Sequence, residues 1–129
     1  MLNQGQVPAV VHGIIEYAVG VLLIASPFLF GFDATAATAA AVVVGLALLA
    51  FTATSALPTG LVRSIPMGVH VTVDVVLAVL LVALPFLLGF TDEAAPTALF
   101  ITLGVLHLLV TIGTRFQAPL GADGEESAV

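Results

Sequence analysis

The sequence predicts an all-α integral membrane protein, with four transmembrane helices arranged as two parallel two-helix repeats. Three observations lead there. Of the 129 residues 60% are hydrophobic and only 8% charged, and the mean hydropathy is +1.25. A soluble domain carries about a quarter charged residues, so this chain lacks the groups to cover a water-facing surface, and lipid is the solvent that fits it. The apolar runs, such as Ala18 to Phe32, are long and do not alternate. That suits a spanning helix of about 20 residues rather than the alternating segments of about 10 residues of a membrane barrel. Finally, one stretch occurs twice. Pro8 to Phe32, PAVVHGIIEYAVGVLLIASPFLFGF, returns 58 positions later as Pro66 to Phe90, PMGVHVTVDVVLAVLLVALPFLLGF. Pro8 matches Pro66, His12 matches His70, Glu16 matches Asp74, and PFLFGF matches PFLLGF. Agreement at so many fixed offsets reads as an internal duplication.

The elements follow in order. Residues 1–7 are a polar lead without the basic start of a secretory signal, so the first apolar run is kept as a mature helix. The first repeat spans residues 8–54. Its first helix runs from Pro8, a residue at home in a first turn, to about Phe30, and Pro27 bends or ends it. Phe28, Phe30 and Phe32 then lie near the membrane boundary. The short link Asp33 to Thr35 forces an antiparallel neighbour, a second helix from about Ala36 to Thr54. Its Ala37, Ala41 and Gly45 recur every fourth residue and form a smooth stripe, which favours close backbone packing where no hydrophobic force remains between helices. Residues 55–65, SALPTGLVRSI, are a polar linker on the cytoplasmic side, turned at Pro58 and Gly60, with Ser64 as a candidate helix cap. The second repeat spans residues 66–115. Its first helix repeats the earlier one as far as Phe90, and the link Thr91 to Pro96 leads into a fourth helix from about Thr97 to Arg115. Here Gly104 answers Gly45 and Thr111 answers Thr52 at an offset of 59. The acidic tail, residues 116–129, is expected to be disordered.

Two spans per repeat bring both repeats into the membrane from the same side, so the pseudo-twofold axis runs along the membrane normal. Arg63 and Arg115 share a side with both termini; Asp33, Asp92 and Glu93 lie on the other. The positive-inside rule places the arginines and both termini in the cytoplasm.

The motif Ser26-Pro27-Phe28 with Gly31, and Pro85-Phe86 with Gly89 in the second copy, resembles that of the SPW-repeat family of small prokaryotic membrane proteins. The resemblance extends from Pro8 to about Arg115. Phe stands where the motif has Trp, and Leu84 replaces Ser in the second copy. The resemblance implies paired helices in a prokaryotic cell membrane and supplies no chemistry.

Composition excludes several function classes. Without cysteine there is neither a disulfide nor a thiolate metal site. Two basic residues against eight acidic ones leave no basic patch for nucleic acid or for anionic lipid. No P-loop, dinucleotide fingerprint or nucleophile elbow appears, so no enzymatic activity is expected.

The chemistry-bearing residues are His12, Glu16, His70, Asp74 and His107. A carboxylate within a span costs about 2.5–3.5 kcal/mol at mid-helix. His12 precedes Glu16 by four residues and His70 precedes Asp74 by four, which sets each pair on one helix face. His107 lies at matching depth on the fourth helix, so five ionisable groups fall in one half of the membrane. Three readings stay open. They fix helix packing or a dimer interface; or they handle protons or a cation, two carboxylates across an axis sharing a proton; or they bind a divalent metal through nitrogen and oxygen, or a haem between two histidines. Tyr17 is expected to pack rather than join the cluster. Thr52, Thr72, Thr102 and Thr111 are expected to bond their own helix backbone, and Asp33, Asp92 and Glu93 to be solvated loop charges. The leading expectation is a structural, assembly or accessory component in the lipid bilayer, as a homo-oligomer or within a membrane complex. A proton or cation channel or carrier is the alternative, and a metal- or haem-binding membrane protein the second alternative.

Overall fold

A computed structural model describes residues 6–115; the expected disorder of the tail lies outside them. The element order is β1 (Val7–Pro8), α1 (Ala9–Leu29), α2 (Thr35–Ala53), α3 (Met67–Leu87), α4 (Ala94–Gly113) and β2 (Thr114–Arg115). All four helices are long and apolar enough to cross a membrane. Large side chains such as Ile14, Val43, Val76, Phe86 and Leu109 project from the bundle. An apolar exterior over spans of this length fits hydrocarbon rather than water.

The helices pack as two hairpins, α1 on α2 and α3 on α4, as links this short require. Small residues set the closest approach. A Cβ built on Gly45 would lie 2.7 Å from the Gly20 carbonyl oxygen, and one on Gly104 would lie 2.8 Å from the Ala78 oxygen. Ala37 and Ala41 are fully buried on the same stripe. The stripe of α2 is therefore engaged inside its own hairpin. Leu23, Leu48, Leu81, Phe90 and Phe100 fill the core between the helices.

The repeated Pro-aromatic-x-x-Gly stretch is a helix terminator. Near the end of α1 the Phe30 N–H donates to the Ser26 carbonyl at 2.9 Å and the Phe32 N–H to the Pro27 carbonyl at 3.1 Å. Near the end of α3 the Leu88 and Phe90 N–H groups bond the Leu84 and Pro85 carbonyls in the same way. Gly31 and Gly89 hold φ of 61° and 72°. This is the Schellman ending, with glycine in the left-handed position just beyond the helix. An L side chain there costs about 1–2 kcal/mol, so Gly31→Ala and Gly89→Ala should each lower unfolding stability by about that much in detergent, read by helical circular dichroism. It also explains why α3 stops at Leu87 rather than at the expected Phe90.

Three further expectations are corrected. The fourth helix starts at Ala94 and ends at Gly113, not at Thr97 and Arg115. Pro96 sits in the first turn, where its missing N–H has no acceptor to lose, and the chain then extends to pair Thr114 with Val7. Ser64 does not cap α3; Pro66 holds that position without a side-chain bond, and the Ser64 N–H bonds the Thr54 carbonyl at 2.9 Å. Glu93 is not a merely solvated loop charge. Its carboxylate accepts the Asp33 N–H at 2.7 Å and the Ala34 N–H at 2.9 Å. It thereby satisfies donors at the start of α2 from the opposite hairpin, at the positive end of that helix dipole.

Candidate functional site

Helical spacing builds the site. His12 and Glu16 lie one turn apart on α1, and His70 and Asp74 one turn apart on α3, all four fully buried. Glu16 stands seven residues along α1 from Ala9, about 11 Å at about 1.5 Å per residue, beyond the reach of a short acidic side chain to the surface. The four groups face one another between the hairpins. His12 Nε2 lies 3.0 Å from Glu16 Oε1 and 3.0 Å from Asp74 Oδ2. His70 Nε2 lies 3.2 Å from Glu16 Oε1 and 3.1 Å from Asp74 Oδ2. Nitrogen and oxygen alternate around a closed ring. Two protonated imidazoles and two carboxylates make that ring electrically neutral, the condition under which charges tolerate a dry interior.

His107 joins from α4. Its Nε2 is 3.4 Å from Asp74 Oδ1 and 3.9 Å from Glu16 Oε1. All five ionisable residues singled out in the sequence are thus brought together. The motif residues Ser26, Pro27, Phe28, Gly31, Pro85, Phe86 and Gly89 are not; they lie toward the opposite ends of α1 and α3, where they terminate the helices.

Residues the sequence reading gave no part in the cluster hold it in place. Thr52 donates within bonding distance to its own helix at Leu48 (2.8 Å), as expected, but its hydroxyl also lies 2.9 Å from Glu16 Oε2. Ser55 Oγ lies 2.6 Å from His70 Nδ1 and donates to the Phe51 carbonyl. Thr114 Oγ1 lies 2.9 Å from His12 Nδ1 and donates to the Val110 carbonyl. A hydroxyl has one proton. Since it goes to the carbonyl in each case, the oxygen accepts from the imidazole Nδ1–H. Both histidines are thereby oriented with Nε2 toward the carboxylates. Each partner comes from the other hairpin: Ser55 follows α2 and serves α3, and Thr114 follows α4 and serves α1. Phe51 stacks on the His70 ring, centroids 4.6 Å apart and 7° from parallel. The signal for these residues was in the sequence, because Thr52 and Thr111, and Ser55 and Thr114, stand at the same offset of 59.

The second half of the site is less complete. Among the described residues, Asp74 Oδ1, His107 Nε2 and Thr111 Oγ1 are buried without a hydrogen-bond partner. Thr111 was expected to bond its own helix and does not, whereas Thr72 does, to the Gly68 carbonyl at 3.0 Å. Tyr17 stays outside the cluster, as expected, and donates to the Thr59 carbonyl at 2.9 Å.

Neither curated proteins nor solved structures give a match to this chain. The sequence model of the SPW repeat domain does match, over residues 10–114. That stretch contains all four helices but for the first residue of α1, and every residue of the buried cluster. It covers well over half of the chain, and the chain belongs to the SPW repeat family.

Proposed function

We propose that this protein is a non-enzymatic structural or accessory component of a prokaryotic cell membrane, spanning it four times with both termini in the cytoplasm. The observation that carries this reading is the enclosure of the cluster. Its five ionisable residues are 0–2% exposed, and both His12 and His70 contact a carboxylate from each hairpin. Groups so placed lock two hairpins together rather than line a route. The orientation is supported by Arg63, whose linker shares an end of the bundle with β1 and β2, while Asp33, Asp92 and Glu93 lie at the other.

A proton or cation carrier is the second reading, favoured by Asp74 Oδ1, His107 Nε2 and Thr111 Oγ1, which are buried without a hydrogen bond among the described residues. Reconstitution separates the two. Liposomes containing the protein should hold an imposed pH or potassium gradient as long as protein-free liposomes do, while cross-linking in native membranes should trap a defined homo-oligomer or complex. Gradient loss that disappears in Glu16→Gln/Asp74→Asn would establish the carrier instead.

A further inference from the structure

We propose that His12, Glu16, His70 and Asp74 form a binding site for one divalent transition-metal ion, with Zn2+ the best fit and His107 placed as a further ligand. The inference does not depend on whether the protein is an assembly component or a carrier.

The ligand atoms are already gathered. One atom from each of the four residues lies within 4.8 Å of all the others, and the neighbouring nitrogen–oxygen separations are 3.0–3.2 Å. Ligands about 2.0–2.1 Å from a tetrahedral zinc stand about 3.3 Å apart. The four neighbouring separations need to open by only a few tenths of an ångström, and the ion then replaces the contacts it displaces. Charge also balances, since one divalent ion in place of two imidazole protons leaves the ring neutral.

The histidines are prepared as metal ligands are. A ligating imidazole donates its other ring N–H to an oxygen, which fixes the tautomer and aims the free nitrogen. Thr114 and Ser55 do this for His12 and His70, and each hydroxyl is held in turn by a backbone carbonyl. His107 Nε2 and Asp74 Oδ1, buried at 2% and 0% exposure and 3.4 Å apart without a hydrogen bond, border the same centre and raise the available coordination to five or more.

Donor chemistry selects the ion. Imidazole with carboxylate suits zinc, iron or nickel rather than magnesium or calcium, and the lack of thiolate disfavours copper(I). The space between the histidines holds the two carboxylates, which suits an ion and not a porphyrin.

The full chain, purified in detergent without chelator, tests this. Titration with Zn2+ against a chromophoric chelator should show one ion per chain with affinity falling as pH is lowered, because protons compete for the same atoms. Cobalt(II) should give the visible bands of a four- or five-coordinate site. X-ray absorption of the zinc form should show at least two imidazole nitrogens. His12→Gln/His70→Gln, which removes both imidazoles of the ring, should abolish stoichiometric binding; Ser55→Ala and Thr114→Val should each weaken it about 10–100-fold. Glu93→Gln, at the far end of the bundle, should leave it unchanged. Absence of saturable binding in folded wild-type protein overturns the proposal, as does an all-oxygen coordination shell, which needs no variant to fold. Binding that survives His12→Gln/His70→Gln places the ion elsewhere and overturns it equally.

Discussion

Asp74→Ala is expected to destabilise the folded protein by about 3–5 kcal/mol, the range seen when one partner of a buried ion pair is removed. Asp74 Oδ2 is within 3.1 Å of both His12 and His70. Without it, two imidazoles share one carboxylate in a fully buried site. Glu16→Ala should behave alike and also remove the contact between Thr52 and α1. The double variant Glu16→Gln/Asp74→Asn is the informative comparison. It lets both histidines be neutral and keeps hydrogen-bonding groups in place, so it should cost less than Glu16→Gln and Asp74→Asn measured singly and added together. Contacting groups show interaction energies of about 0.5–3 kcal/mol. Unfolding by a denaturing detergent, followed by helical circular dichroism, measures each term. A cost for Asp74→Ala within the ~0.5 kcal/mol of ordinary surface substitutions would mean that the ring does not hold the hairpins together.

The reach of sequence reasoning here follows from which forces are local. The helices were legible because a span is a matter of length and composition, and α1 and α2 fall within one residue of expectation at each end. The cluster was legible because a four-residue spacing fixes a helix face and the 58-residue offset fixes a counterpart. The supporting hydroxyls were harder to see. A threonine or serine in a helix has an acceptor in its own backbone, and Thr52, Ser55 and Thr114 all use it. Their second contact, to an imidazole or carboxylate on another helix, depends on how the hairpins meet. Ser55 and Thr114 lie just past their helices, where chain extension places them opposite the next helix start: Ser55 bridges to Ile65 and Thr114 pairs with Val7. Glu93 departs from expectation for the same reason, because its acceptor role exists only once the two links are neighbours. Exact matching of the halves also fails where it matters: position 48 is Leu and its counterpart 107 is His. One hairpin thus supplies an apolar core residue where the other supplies a fifth ionisable group.

Gly45→Leu should be the most damaging change away from the cluster, costing about 1–3 kcal/mol as overpacking does, and toward the upper end because the obstacle is backbone. The new Cβ would meet the Gly20 carbonyl oxygen at 2.7 Å and the Ile24 side chain at 2.8 Å. Only separation of α1 from α2 relieves both contacts. In water the extra leucine could recover part of that cost by burying apolar surface. In a bilayer it cannot, since lipid is as apolar as the helix it replaces and close backbone contact is what favours association. Separation also reaches the site, because Thr52 on α2 contacts Glu16 on α1. Gly104→Leu should do the same to α3 and α4, where a Cβ lies 2.8 Å from the Ala78 oxygen. Gly68→Ala is the control: among the described residues nothing lies within 4 Å of its added Cβ, and alanine has less conformational freedom to lose on folding than glycine. Thermal unfolding of the three variants in one detergent should therefore give two large losses and one neutral or stabilised protein. Equal behaviour of Gly45→Leu and Gly68→Ala would mean that α1 and α2 are not in backbone contact, and with that the hairpin geometry that carries Glu16 to Thr52 would fall.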